Sequence, residues 1–309
     1  MHVNGTTTEY FIIKGITEVP ELHITIFIVV FLIYLMTIGG NMVILILICM
    51  DTHLHTPMYF FLANLSIVDM ASTTSSLHKI LISFITGDRT VSFHGCMTQS
   101  FMSGSFTVHE LFILAAMSYD RYVAICRPLS YHLIMNHRTC VLLVSSCWTL
   151  GFLFVSPLVG ILSSFSCYTS IEVNHFLCDI VPLLNITCSD TSILDILFFI
   201  EGLFLFTIAP FLFTFTPYIF IIVAILKIHT SHGRRKAFYT CSSHLTVVVL
   251  LYTLLVSQYL VPSSSSNFDS KKLYALFNMA AVPLLNPLIY SFKNKDVKAA
   301  LQRRFGRKL

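Results

Sequence analysis

From 24 to 50 the chain reads ITIFIVVFLIYLMTIGGNMVILILICM, a run with no Asp, Glu, Lys or Arg. Water offers such a segment no polar face to present, whereas about 20 apolar residues cross the hydrocarbon core of a bilayer as a helix. Six further segments follow: about 57–81 with Asp69 inside, about 96–125 with Glu110 inside, one within 139–171 ending near Leu162, then 193–226, 238–261 and 273–292. In lipid every backbone N–H and C=O needs an internal partner, which leaves helices and closed barrels. These long stretches lack the strict alternation of barrel strands. Composition agrees, with 55% of residues hydrophobic and 11% charged, against about 25% charged in soluble domains. The sequence predicts an all-α membrane protein, a seven-transmembrane helix bundle in one domain, 1–309, with a tail at 1–23, the bundle at 24–292 and a second tail at 293–309.

Orientation follows from the basic residues. All Lys and Arg except Lys14, Lys79, Arg89, Lys271 and Lys272 fall at the inner end of span three, in the loops after spans three and five or in the C-terminal tail. The positive-inside rule puts that side in the cytoplasm and the N-terminus outside. The net charge of +4 thus reflects topology and gives no reason to expect a nucleic-acid partner. No apolar core of a signal peptide precedes span one, which is expected to act as the targeting signal itself. The outer tail carries the glycosylation sequon Asn4-Gly5-Thr6, and the outer loop carries Asn185-Ile186-Thr187. A third match, Asn64-Leu65-Ser66, lies inside span two. Cys96, Cys167, Cys178 and Cys188 face the oxidising side, where four cysteines allow three pairings. The string His175-Phe176-Leu177-Cys178-Asp179 has metal-ligating residue types, but an outer cysteine reads first as a disulfide partner.

Charges inside spans are costly and mark function. At 1.5 Å per residue Asp69 lies about 18 Å from the cytoplasmic start of its helix and Glu110 about 21 Å from the outer start of its own. Asn41 and Asn286 fall slightly to the cytoplasmic side of the same level, so four helices contribute to one polar layer. Two carboxylates there must hold a proton or share a cation such as sodium, unless the layer is a hydrogen-bonded packing device. Ser103, Thr107, Glu110, Leu114 and Arg121 lie on one face of span three, which must point inward. Beside Arg121 stands Asp120, an acid placed to latch it.

Asn41, Asp69, Asp120, Arg121 and Asn286 belong to a series of six motifs: Gly40-Asn41; LHTPMYFFLANLSIVD from Leu54 to Asp69; MSYDRYVAIC from Met117 to Cys126; HFLCD from His175 to Asp179; KAFYTCSSHL from Lys236 to Leu245; and PLLNPLIYSFKNKDVKAAL from Pro283 to Leu301. In this order, at these helix ends, the chain resembles an olfactory receptor of the rhodopsin-like G-protein-coupled class, and the CSD at Cys188-Ser189-Asp190 after PLL, with the short outer loops, resembles the tetrapod-type (class II) branch. The family usually has Ala at Ser118, Ser at Tyr239 and Phe-Tyr-Gly where Leu251-Tyr252-Thr253 stand. The resemblance implies a short cytoplasmic helix after span seven and disulfides Cys96–Cys178 and Cys167–Cys188. It implies a switch in which Asp120 holds Arg121 next to Tyr122 until span six moves outward, with Tyr218 and Tyr290 stabilising the open state and Asn286, Pro287 and Tyr290 acting in span seven. It also implies coupling to a stimulatory, olfactory-type G protein that raises cyclic AMP, at the plasma membrane of olfactory cilia.

For the ligand, helical spacing offers Ser103, Gly104, Thr107 and Val108. The resemblance adds Gly202, Phe206, Tyr252, Leu255, Tyr259 and Met279. This apolar, aromatic and hydroxyl-bearing set gives a buried ammonium no counter-charge, so the expected partner is a small, neutral, hydrophobic volatile. No cofactor is expected beyond a sodium ion at Asp69/Glu110. A receptor for a non-odorant metabolite is the alternative. A transporter or channel fits less well with an odd span number and no evident inverted repeat. No G-x-S-x-G or H-E-x-x-H motif points to an enzyme.

Overall fold

The apolar runs become helices, and the residues at their ends explain where they stop. The computed structural model describes residues 2–3, 6–7, 9–16, 19–227, 230–259, 268–293 and 295–306. Helix α1, Pro20–Met50, starts on a proline, whose missing N–H is no loss in a first turn. Helix α2, Pro57–Thr86, also starts on a proline and ends at Gly87, whose φ of +73° is the left-handed cap favoured by glycine. Helix α3, Phe93–Cys126, is capped by the Ser92 side chain accepting from the Gly95 N–H at 3.1 Å. Helix α4, His137–Ser164, is capped in the same way by Asn136. Helix α5, Ser192–Leu226, contains a π-helical stretch, Glu201–Ile208. Helices α6, Ser231–Tyr259, α7, Phe268–Lys293, and α8, Lys295–Phe305, complete the chain.

The helices overrun the expected spans: α6 begins at Ser231 rather than Phe238, and α7 at Phe268 rather than Leu273. Hydropathy marks only the part of a helix in hydrocarbon, and the polar turns beyond it lie in the headgroups. Among the described residues four helices, Glu21–Met50, Phe93–Cys126, His137–Ser164 and Ser192–Leu226, are long and apolar enough to span by composition alone. Helix α2 is more polar because Asp69, Thr73 and Ser76, each at most 1% exposed, point into the bundle rather than at lipid. The central helix is α3, which packs against α2, α4 and α5. By contrast α1 leaves Ile24, Ile28, Leu32 and Leu35 exposed to the lipid side.

The outer face carries a small sheet. Strand β1, Tyr10–Ile13, lies between β2, Thr90–Ser92, and β3, Glu172–Val173, antiparallel to the first and parallel to the second. Alternation puts Phe11 and Ile13 inward, with Phe11 edge-on to Tyr168 at 5.1 Å. The stretch expected to be a plain polar tail therefore stitches two outer loops together. Beneath it the disulfides are Cys96–Cys178 and Cys167–Cys188, each with Cα atoms 5.3 Å apart. Gln99 reinforces the first: its Oε1 accepts from the Cys178 N–H at 3.0 Å while its Nε2 donates to Ser75 O on α2 at 2.9 Å.

At the other end α8 docks under the bundle through buried Val297 and Ala300. Arg303 donates to Asp51 Oδ2 from Nη2 at 2.7 Å and from Nε at 3.1 Å, and Tyr59 donates to Asp296 at 3.1 Å. The Arg303 guanidinium holds the Asp51 carboxyl down at a pKa of about 2.

Candidate functional site

Three levels of the bundle carry the predicted residues. At mid-membrane Asp69, Glu110, Asn41 and Asn286 are all buried. Asn286 Nδ2 donates to Asp69 Oδ2 at 2.9 Å, and the same amide engages Glu110. Asn41 Nδ2 donates to Thr37 O and to Pro283 O, both at 3.1 Å, tying α1 to α7. That approach needs Gly40, where a Cβ would stand 3.1 Å from Pro287 Cγ. Asp69 Oδ1, Glu110 Oε1 and Asn286 Oδ1 are buried with no hydrogen-bond partner. These oxygens suit a hard cation or a shared proton.

Above this layer the ligand residues divide. Ser103 is buried, and Thr107 donates its hydroxyl proton to Ser103 O at 3.1 Å, which leaves its oxygen free to accept. Gly104 and Val108 face α4. A Cβ on Gly104 would lie 3.2 Å from Val155 Cγ1 of α4, and Val108 is buried in the cluster that includes Val155 and Leu158. Successive residues differ by about 100° around a helix, so a glycine next to Ser103 faces a different neighbour. Tyr252 stands between the rings of Phe211 and Phe215, each at 5.6 Å. Its hydroxyl and that of Thr214 approach each other, but neither makes a bond of ordinary geometry. Half-buried Leu255 packs on the central core, and Met279 belongs to the cluster shared by α1, α2 and the outer loop. Gly202 lies in the π-helical stretch of α5. Asn4 and the side chains of Phe206, Tyr259 and Tyr290 lie outside the described residues.

Two buried residues escaped the sequence reading. Glu201, directly before Gly202, is 6% exposed with Oε2 unpartnered. Its signal was available, since the rule that singles out Asp69 and Glu110 applies equally to a carboxyl in span five. His109, fully buried, bonds Trp148 O through Nε2 at 3.0 Å. It sits directly over Gly151, where a Cβ would meet its ring at 2.6 Å.

At the cytoplasmic end Arg121 reaches Asp120 Oδ2 from Nη2 at 2.5 Å and from Nε at 3.1 Å, while Tyr131 donates to Asp120 Oδ1 at 2.8 Å. Asp120 is fully buried. Tyr218 of α5 bonds His244 Nδ1 of α6. Tyr122 lies 5.9 Å from Phe220, and the Tyr122 ring closes a cluster of Tyr218, Ile221, Ile225 and Cys241. Helices α3, α5 and α6 are thereby held together around the latch. Asn286 and Pro287 are consecutive in α7, Asn286 bonded to Asp69 in the mid-membrane layer and Pro287 facing Gly40 of α1.

Comparison with known proteins agrees with this architecture. The olfactory receptor family profile matches residues 30–308. Olfactory receptor 8G17 of Mus musculus is 42% identical over 97% of this chain and 98% of its own length. Olfactory receptor 5G26 of Mus musculus is 43% identical over 99% and 96%, and olfactory receptor 1M1 of Homo sapiens 40% identical over 99% and 97%. Among solved structures, squid rhodopsin superposes with a TM-score of 0.72 at 19% identity, over 94% of this chain and 82% of that one, a likeness of fold.

Proposed function

The chain belongs to the olfactory receptor family of G-protein-coupled receptors, and from that premise we propose that it detects a small, neutral, mainly hydrophobic volatile and drives a stimulatory, olfactory-type G protein that raises cyclic AMP, in the cilia of sensory neurons. A multi-pass membrane receptor with a ligand and a G-protein partner is what membership entails; the ligand class, the G protein and the cilia are the proposal. The observation that carries it is the closed latch of Asp120, Arg121 and Tyr131 beneath α6.

Opening the latch removes a buried charge from its partner, which is costly when the remaining ion is left alone. Tyr131 lowers that cost by continuing to donate its hydroxyl hydrogen bond to Asp120 Oδ1 when Arg121 turns to the G protein. A ligand that moves the resting equilibrium from 1:99 to 99:1 must favour the open state by about 5.5 kcal/mol. Burial of a hydrophobic ligand in α3, α5 and α6, with hydrogen bonds to Thr107 or Tyr252, is the source of that preference. Asp69 and Glu110 would hold a sodium ion or share a proton, and a bound sodium would offset one of the two carboxylate charges and favour the packed state.

The test is a broad odorant panel in cells reporting cyclic AMP. The expected result is a response to neutral volatiles that Arg121→Ala abolishes while surface staining persists. A best agonist that is a permanently charged amine would overturn the ligand class. A full response of the Arg121→Ala receptor would overturn the latch.

A further inference from the structure

A cavity of about 510 Å³ lies at the outer face between α1 and α2, roofed by the end of β1 and the loop before β2. None of the predicted ligand residues lines it. Its walls have two characters. Phe27, Ile80, Phe84 and Phe176 make an apolar interior, while Lys14, Lys79 and Arg89 stand around it. No Asp or Glu is among the lining residues. The acids that pair with the lysines stand out in water: Glu172, 3.1 Å from Lys14, has its side chain 54% exposed, and Asp88, 3.9 Å from Lys79, has its side chain 56% exposed. Arg89 donates from Nη1 to Lys14 O at 3.1 Å, one of the five donors of a guanidinium. His23 also lines the cavity, edge-on to Phe84, with its Nε2 buried and unpartnered. On the lipid side the wall ends in Ile24 and Ile85, which are 73% and 72% exposed.

We propose that this cavity is a second binding site, and that it takes an anionic amphiphile: a carboxylate or phosphate head against Lys14, Lys79 and Arg89, and a hydrocarbon chain laid over Phe27, Phe84 and Phe176. Cations towards water and exposed isoleucines towards lipid set the orientation of such a molecule. The volume is in the usual range for small-molecule sites, about 300–1,000 Å³. A fatty acid from the aqueous phase and an anionic lipid of the outer leaflet offer the same chemistry. Occupancy has a route to the bundle. Phe176 stands two residues before the disulfide-bonded Cys178 and shares a cluster with Met279 of α7, so a ligand under the loop biases the roof of the ligand chamber.

The experiment uses the full chain in nanodiscs of zwitterionic lipid with a photoreactive dodecanoic acid as probe, read by mass spectrometry. Labelling is expected on the outer turns of α1 and α2, competed by dodecanoate and not by dodecanol. The double substitution of Lys79→Gln and Arg89→Gln should reduce it about tenfold, as the loss of two partly exposed charge contacts implies. Lys79→Arg should retain it. Ser83→Trp, which fills the cavity and leaves the cations in place, should abolish it, so the conclusion does not depend on one variant folding. In a second arm the nanodisc contains phosphatidylglycerol: loss of labelling there identifies a membrane lipid as occupant, and unchanged labelling identifies the soluble acid. Labelling spread over all lipid-facing helices, or equal competition by dodecanol, overturns the proposal.

Discussion

The two ends of this bundle are closed by different forces. Outside, two disulfides, a three-stranded sheet and the Gln99 clamp hold the loops over the helices. Inside, Asp120 with Arg121 and Tyr131, Tyr218 with His244, and Asp51 with Arg303 hold the helices by charge-assisted and neutral hydrogen bonds. A covalent tie does not exchange on the time scale of a signal, and a hydrogen bond does. The outer end is therefore tied to one shape, while the inner end is held by bonds that can exchange, as the proposed switch requires.

The most damaging way to break this contrast is to remove the outer tie. Cys96→Ser or Cys178→Ser should leave the receptor inside the cell, because a disulfide closing a long loop contributes about 2–4 kcal/mol and the Gln99 and Ser100 bonds to Cys178 lose their anchor. Surface staining of intact cells reads the result. Normal staining of both variants would mean that the sheet and clamp suffice without the disulfide.

A smaller change at the inner end should be visible only in signalling. Tyr131→Phe removes the bond that keeps Asp120 satisfied after Arg121 leaves, so opening becomes harder. With about 1 kcal/mol for one such bond, agonist potency should fall about fivefold at unchanged surface expression. A rise in basal cyclic AMP would instead assign Tyr131 to holding the latch shut.

Acid separates the ends by pH. Burial, assisted by Lys272, lowers the His175 pKa from its usual 6.5 to about 4, and its Nδ1 accepts from the Leu177 N–H. The unfolded outer loop then binds more protons than the folded one between pH 6.5 and about 4, so loop stability falls across that window as pH drops and levels off below it. Asp51 is shifted in the same direction but in a more acid window. Its contribution is present above its ordinary 3.8 and is lost as pH falls towards about 2. Hydrogen exchange at pH 5 should therefore show the outer loop loosened and the α8 junction intact. His175→Gln should flatten the loop's response.

Much of this was readable in the sequence, for physical reasons. Each apolar run fills a bilayer, so seven helices follow from length, and Asp69, Glu110 and Arg121 stand out because lipid makes any charge conspicuous. What was not readable depends on distant neighbours. Phe11 and Ile13 alternate over a strand of four residues, too short for periodicity to separate from a tail. Asp51 and Arg303 meet across nearly the whole chain, and no local pattern signals such a pair. Gly104 and Val108 share a helix stripe, but which helix faces that stripe is decided by Val155. Among the outer cysteines the composition allowed three pairings, and only the resemblance favoured the one observed.

The smallest effect expected lies between the two ends, where the proposed ligand would contact α3 and α6. Thr107 has committed its proton to Ser103 O and offers only an acceptor, while the Tyr252 hydroxyl is buried without a partner of good geometry. Thr107→Val removes the acceptor and adds a methyl, so alcohol agonists, which donate, should lose about threefold to tenfold in potency on the scale of one neutral hydrogen bond. Hydrocarbons and ketones should hardly change in that variant. Tyr252→Phe removes a donor, so ketones should weaken and hydrocarbons hold or gain, because a buried hydroxyl without a partner costs free energy in the parent. The two variants should thus reorder alcohol, ketone and hydrocarbon potencies in opposite senses, with maximal cyclic AMP responses preserved. If both leave the order unchanged, ligand recognition does not pass through this face of α3 and α6, and the buried carboxyl of Glu201 becomes the residue to change next.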